Sequence, residues 1–141
     1  MIKIKNDLQL AASNRWRADF QKALAEVRRD AMGVPPRLRR AQVDGLRSQI
    51  EDLDREIAEY EALRRGSPAR ITFDSLDALP DALVRVRISR RLTQEDLARR
   101  LGVKPQQVQR WEAGAYAQAT YATIRKVAAA LKVDVKGRAA P

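Results

Sequence analysis

The side chains best equipped to do chemistry in this chain are amides and a guanidinium, packed closely together. Gln106, Gln107, Gln109 and Arg110 fill four of five successive positions between Pro105 and Trp111. A glutamine amide donates and accepts at once, which matches N6 and N7 of adenine, and an arginine fork matches O6 and N7 of guanine. The chemistry offered is recognition of base edges, without bond making or breaking. The chain has no cysteine and no histidine. That removes disulfides, thiolate and imidazole metal sites, and every nucleophile that depends on a histidine base. A carboxylate or lysine enzyme stays formally open, but no such groups cluster. The sequence therefore reads as a non-enzyme without cofactor or metal.

The elements that must hold these residues are legible on either side. Thr93 is a helix N-cap, and Asp96 three residues on is a shortened capping-box acid. Leu97, Ala98 and Leu101 fall on one helical face, Gly102 ends the helix in the left-handed region, and Val103 plugs the corner. Lys104-Pro105 restarts the chain, with proline suited to a first helical turn. Val108 and Trp111 point inward from the second helix, leaving the glutamines and Arg110 to face out. Two short helices joined by a tight corner, the second with a polar outer face, are the sequence form of a helix-turn-helix.

At this point the chain resembles the Cro/Xre-type helix-turn-helix of phage repressors, bacterial regulators and HigA-type antitoxins. Arg87, Thr93-Gln94, Leu97-Ala98, Leu101-Gly102-Val103, Val108, Glu112 and Gly114 carry the resemblance, followed by Ile124, Val127-Ala128 and Ala130-Leu131. It spans about residues 79–133, and the fragment from Gln106 to Ala113 is similar to a subset of antitoxin-like regulators. The resemblance implies a lambda-repressor-like domain of four to five helices that binds double-stranded DNA, in a bacterial or phage-encoded regulator working in the cytoplasm at the nucleoid. It implies base contacts from Gln106, Gln107 and Arg110. It gives Gln94 a backbone phosphate and a bracing role, and it implies a structural ion pair between Arg87 and Glu112. Helix N-terminal N–H groups at Gln94 favour an anion in any case. Lys104, Tyr116, Gln118 and Thr120 flank the recognition helix and are expected to touch phosphates. Gln109 is a weaker candidate, and Arg90, Arg91, Arg99 and Arg100 add general positive field.

Charge agrees with a polyanionic partner. The 141 residues carry a net charge of +10, with a pI of about 10.6. Residues 1–66 hold 14 basic and 11 acidic side chains, and residues 67–141 hold 14 and 7. The acid-poor half is the one with the glutamine-bearing helix. The start of the chain leads into no apolar run, so neither a signal peptide nor a membrane span is expected.

Taken in order, residues 1–12 are open between a short strand and a disordered start, with Ile2 and Ile4 alternating with Lys3 and Lys5. A helix is expected from about Ser13, capped by Ser13 or Asn14, with Trp16, Phe20, Ala23, Leu24 and Val27 on one apolar stripe. It ends near Met32-Gly33 before Pro35-Pro36. Val43, Leu46, Ile50, Leu53, Ile57 and Tyr60 then alternate spacings of three and four, a heptad seam. This oligomerisation seam must pack on the preceding helix, on a second copy, or on both, which gives a coiled-coil-like helical hairpin in an all-α chain. Gly66-Ser67-Pro68 marks a linker, and Ile71-Thr72-Phe73 a short strand or packing segment. Leu79, Leu83, Val86 and Ile88 mark the next helix. A last helix from Thr120 turns Tyr121, Ile124, Val127, Ala128 and Leu131 inward, and the tail after Val133 is expected to fray.

The organisation expected is a hairpin over residues 1–66 for oligomerisation or partner binding, a linker over 67–78, the DNA-binding domain over 79–135 and a flexible tail over 136–141. The function expected is a transcriptional regulator, acting as a homodimer or higher homo-oligomer on a palindromic operator and repressing its own promoter. The alternative is an antitoxin that neutralises a cognate toxin through its N-terminal region.

Overall fold

The computed structural model describes residues 1–30, 32–66 and 70–139. Among them the chain is all-helical, with six helices and no strand. It divides into two compact units, Lys3–Glu61 and a second comprising Met1–Ile2 with Ala62–Pro141.

The first unit is an antiparallel helical hairpin. Helix α1 runs from Asp7 to Arg29 and α2 from Pro36 to Arg64, the last residues of α2 counting with the second unit. Tyr60 donates its hydroxyl hydrogen bond to Asp7 (3.1 Å), and Arg17 pairs with Asp54 (3.0 Å), so the start of α1 lies against the end of α2. Pro36 opens α2, where its missing N–H costs no hydrogen bond. The α1 start differs from the expected Ser13 or Asn14. Asn6 is the cap, its side chain accepting from the Gln9 N–H at 2.8 Å, and Ser13 is buried one and a half turns into the helix. Ile2 and Ile4, 1% and 2% exposed, form neither strand nor disordered start and precede that cap as buried extended residues.

The apolar stripes are those expected, with one correction. Leu53, Ile57 and Tyr60 are buried, Val43, Leu46 and Ile50 half-buried, as are Phe20, Ala23, Leu24 and Val27. Trp16 is 58% exposed. At 100° per residue it sits at the edge of the stripe centred on Ser13, Phe20 and Leu24. It walls a groove with Ala12, Ser13, Ile4 and Glu56 instead of filling the seam.

The second unit holds α3 (Leu79–Ser89), α4 (Gln94–Leu101), α5 (Pro105–Ala113) and α6 (Tyr121–Ala130). Thr93 and Asp96 form a full capping box at the head of α4. Gly102 closes that helix at φ +68°, a backbone region side chains with a Cβ avoid. The tight corner lets α5 pack across α4, and α6 lies on α4 as well. Leu83, Ile88, Leu97, Val108, Val127 and Leu131 are each no more than 2% exposed and make the core. Arg90 and Arg100 donate to the carbonyls of Leu131 and Ala130, satisfying the C-terminal end of α6.

The chain's first residues also belong to this unit. The Ile2 N–H donates to Asp81 (2.7 Å), whose other oxygen takes Arg85 (2.6 Å). Burial pushes the Asp81 carboxyl up, but these donors outweigh it and hold it below the usual aspartate range. Ile71 and Phe73 form no strand; both are half-buried and line a groove with Ala82, Val86, Val133 and Asp134. Tyr121, expected inward, is 76% exposed, because it opens α6 before that helix meets its neighbours; the Arg125 guanidinium stands over its ring. No regular structure follows Leu131 through residue 139. Residues 67–69, the centre of the expected linker, and 140–141 of the expected tail lie outside the described residues.

Candidate nucleic-acid interface

The rigidity of the α4–α5 corner comes from three polar side chains in the core. Arg87 of α3 reaches Glu112 of α5 through two parallel bonds, Nε to Oε1 at 2.6 Å and a terminal nitrogen to Oε2 at 2.7 Å. Gln94 at the head of α4 donates its amide to Oε2 of the same carboxylate, also at 2.7 Å. A third arginine donor goes to the Leu92 carbonyl at 2.8 Å, so the loop between α3 and α4 is held as well. Arg87 and Glu112 are 2% and 1% exposed. Three helices thus meet on one carboxylate with fork-to-fork geometry, which fixes angle as well as distance.

With Glu112 turned inward, α5 turns the opposite side out. Gln106 and Arg110, four residues apart, share one exposed face, Gln109 is exposed beside them, and Gln107 is half-buried. Lys104 caps α5 from an exposed position. Among the described residues, no side-chain hydrogen bond or ion pair engages Lys104, Gln106, Gln107, Gln109 or Arg110. Their donors and acceptors all remain for something outside the chain. The neighbouring arginines are already engaged: Arg99 pairs with Glu95 and Asp96, Arg91 donates to the Arg64 carbonyl, and Arg90 and Arg100 hold α6.

Two flanking assignments change. Gln94 is 6% exposed and its amide nitrogen is bound to Glu112, so its side chain braces the corner and does not lie free for phosphate. Tyr116 is 3% exposed, and its hydroxyl is buried without a hydrogen-bond partner among the described residues. It cannot reach a phosphate. The reversal follows from the turn after α5, where Ala115 and Tyr116 take φ of +50° and +58° and swing the ring under Trp111, 6.4 Å away and nearly parallel. Trp111, expected in the core, is half-buried as the outer member of that stack. Gln118 and Thr120 are exposed, and Thr120 also caps α6 through its hydroxyl. The Tyr121–Arg125 pair was not anticipated; its spacing of four residues on an exposed helix face was the available signal.

The buried Tyr116 hydroxyl makes a direct prediction. Burial, and next the Glu112 charge, push its ionisation far above the usual tyrosine range, against a smaller opposing pull from Arg87. Unfolded tyrosine ionises near pH ~10. Above that the unfolded state sheds a proton the folded state keeps, so stability falls as pH rises. Tyr116→Phe is expected to remove that alkaline slope and to unfold up to about 1 kcal/mol less readily at neutral pH, since no bond is lost. Urea titrations at neutral pH and above pH ~10 check both.

Comparison with known proteins agrees with this geometry. Residues 83–137 match the helix-turn-helix family model, less than half of the chain but all of α4 to α6 and most of α3. No curated protein and no solved structure matches the chain. The match supports a Cro/Xre-type helix-turn-helix regulator and double-stranded DNA as its ligand. Among the described residues no helix is long and apolar enough to cross a membrane.

Proposed function

We propose that this chain is a sequence-specific transcriptional regulator, a repressor of its own promoter that acts as a dimer on a palindromic operator and catalyses nothing. The supporting observation is the outer face of α5. Its glutamine amides and the Arg110 guanidinium have no partner within the chain, while the other side of the same helix is anchored by Glu112. Such a helix fits the major groove, its amides on base edges and Lys104, Gln118 and Thr120 on the flanking phosphates. Two of them on one DNA face would read half-sites about 34 Å apart. The protein would work in the cytoplasm and need no cofactor.

The test is a fluorescence titration of the full chain on the DNA upstream of its own gene and on scrambled DNA, at two salt concentrations. A preference of about a thousandfold or more for the upstream DNA is expected. Equal binding to both that collapses with salt would overturn sequence-specific regulation in favour of a non-specific basic binder.

A further inference from the structure

The hairpin has a seam and a charge pattern that its own chain does not use up. Along α2 the heptad spacing is unbroken, yet Leu53, Ile57 and Tyr60 are 8%, 4% and 4% exposed while Val43, Leu46 and Ile50 are only half-buried. Phe20, Leu24 and Val27 on α1 are half-buried over the same end of the hairpin. Two helices alone bury one line of contact and leave the flanks of that line wet.

Charge runs along α2 in the same direction. From Pro36 to Ile50 it carries Arg37, Arg39, Arg40 and Arg47 against Asp44; from Glu51 to Glu61 it carries six carboxylates against Arg55. This is opposite to what a helix wants for itself, since the dipole favours acids at its N-terminus and bases at its C-terminus. Nor does α1 mirror it: Arg15 and Arg17 face one Asp7 in its first half, and Lys22, Arg28 and Arg29 face Asp19 and Glu26 in its second, a net +1 each. Arg40 and Arg47 have no ion pair among the described residues. At seven-residue spacing beside the seam stand Arg40, Arg47, Asp54 and Glu61. A parallel copy would set like charge on like, whereas an antiparallel copy sets bases on acids.

We propose that two copies associate through their hairpins in antiparallel fashion, forming a four-helix module. It rests on the dimeric reading above. Val43, Leu46 and Ile50 with Phe20, Leu24 and Val27 of each copy form the shared core, and Arg40 and Arg47 of one copy face Asp54 and Glu61 of the other. The face suffices in size. At about 1.5 Å per residue α2 from Pro36 to Leu53 is roughly 27 Å long, and two helices of that length offer an area of the order of the ~800 Å² each partner hides in a stable interface.

The experiment compares full-length wild type with R40E/R47E and D54K/E61K by sedimentation equilibrium, each alone and the two variants mixed. Wild type is expected to be a dimer. Each variant alone is expected to dissociate on the order of tenfold or more more readily, since two-fold symmetry repeats every repulsion. The equimolar mixture restores a heterodimer, because each reversed charge then meets its opposite. A monomeric wild type overturns this proposal and the dimeric reading together. A wild-type dimer insensitive to both variants, or a mixture that restores nothing, overturns the antiparallel hairpin and leaves the dimeric reading standing. If circular dichroism shows a variant losing helix, R40Q/R47Q carries the same test through a raised dissociation constant.

Discussion

Glu112→Ala is expected to destabilise the second unit by about 3–5 kcal/mol, enough to unfold a marginal domain. The loss exceeds that of one ordinary hydrogen bond because the carboxylate terminates three of them. Without it the Arg87 guanidinium, 2% exposed, keeps only the Leu92 carbonyl among its described bonds to this site, and the Gln94 amide loses its acceptor. A buried charge stripped of its counter-ion costs far more than an apolar residue in its place. Two controls separate this cause from a packing cavity. Arg87→Met alone should be severe for the converse reason, while Arg87→Met with Glu112→Leu should recover most of the loss. Urea unfolding of all four chains closes the double-mutant cycle. A double variant as unstable as the sum of the singles would refute charge stranding as the mechanism.

Replacing Gln106 and Gln107 together by alanine is expected to abolish preference for the operator over scrambled DNA while leaving most salt-sensitive binding in place. Each amide that pairs bidentately with a base is worth about 1–3 kcal/mol of discrimination. Lys104, Arg110 and the net positive unit, by contrast, act on phosphates without regard to sequence. Because both glutamines lie on the outer side of α5 and bond to nothing in the chain, stability should stay within about 0.5 kcal/mol of wild type. Fluorescence titrations at fixed salt read the preference, and circular dichroism confirms the fold. Preference that survives the double substitution would remove this face of α5 from base reading. Gln109 and Arg110 are then the residues to change next.

What could be read from residues alone was whatever depended on short spacing. The Thr93–Asp96 capping box, the Gly102 corner, Pro105 at the head of α5 and the heptad of α2 are all set by neighbours within a turn or two, and each stands where its spacing put it. The failures share a cause too. Tyr116 looked like a loop residue open to phosphate, but two successive positive φ angles turn it under Trp111, and nothing in Ala115-Tyr116 advertises such angles. Trp16 and Tyr121 were assigned inward from periodicity, which gives a residue's angle around a helix but not how far the neighbouring helix extends. Gln94 was given two duties, and only the depth of Glu112 shows that its side chain has one. At the start of α1, Asn6 won the cap from Ser13 because two capping residues lay in the same stretch and only packing distinguishes them.

The bond from the Ile2 N–H to Asp81 joins residues 79 positions apart, and it sets an order of assembly. On the ribosome Ile2 is made first, yet its acceptor does not exist until four helical turns of hairpin and the whole of α2 have been synthesised behind it. Closing so long a loop is entropically slower than any contact inside α3 to α6, though the cost grows only as the logarithm of its length. The first two residues are thus the last to dock. An affinity tag fused ahead of Met1 would act on this final step, slowing it while leaving the hairpin's own folding unchanged.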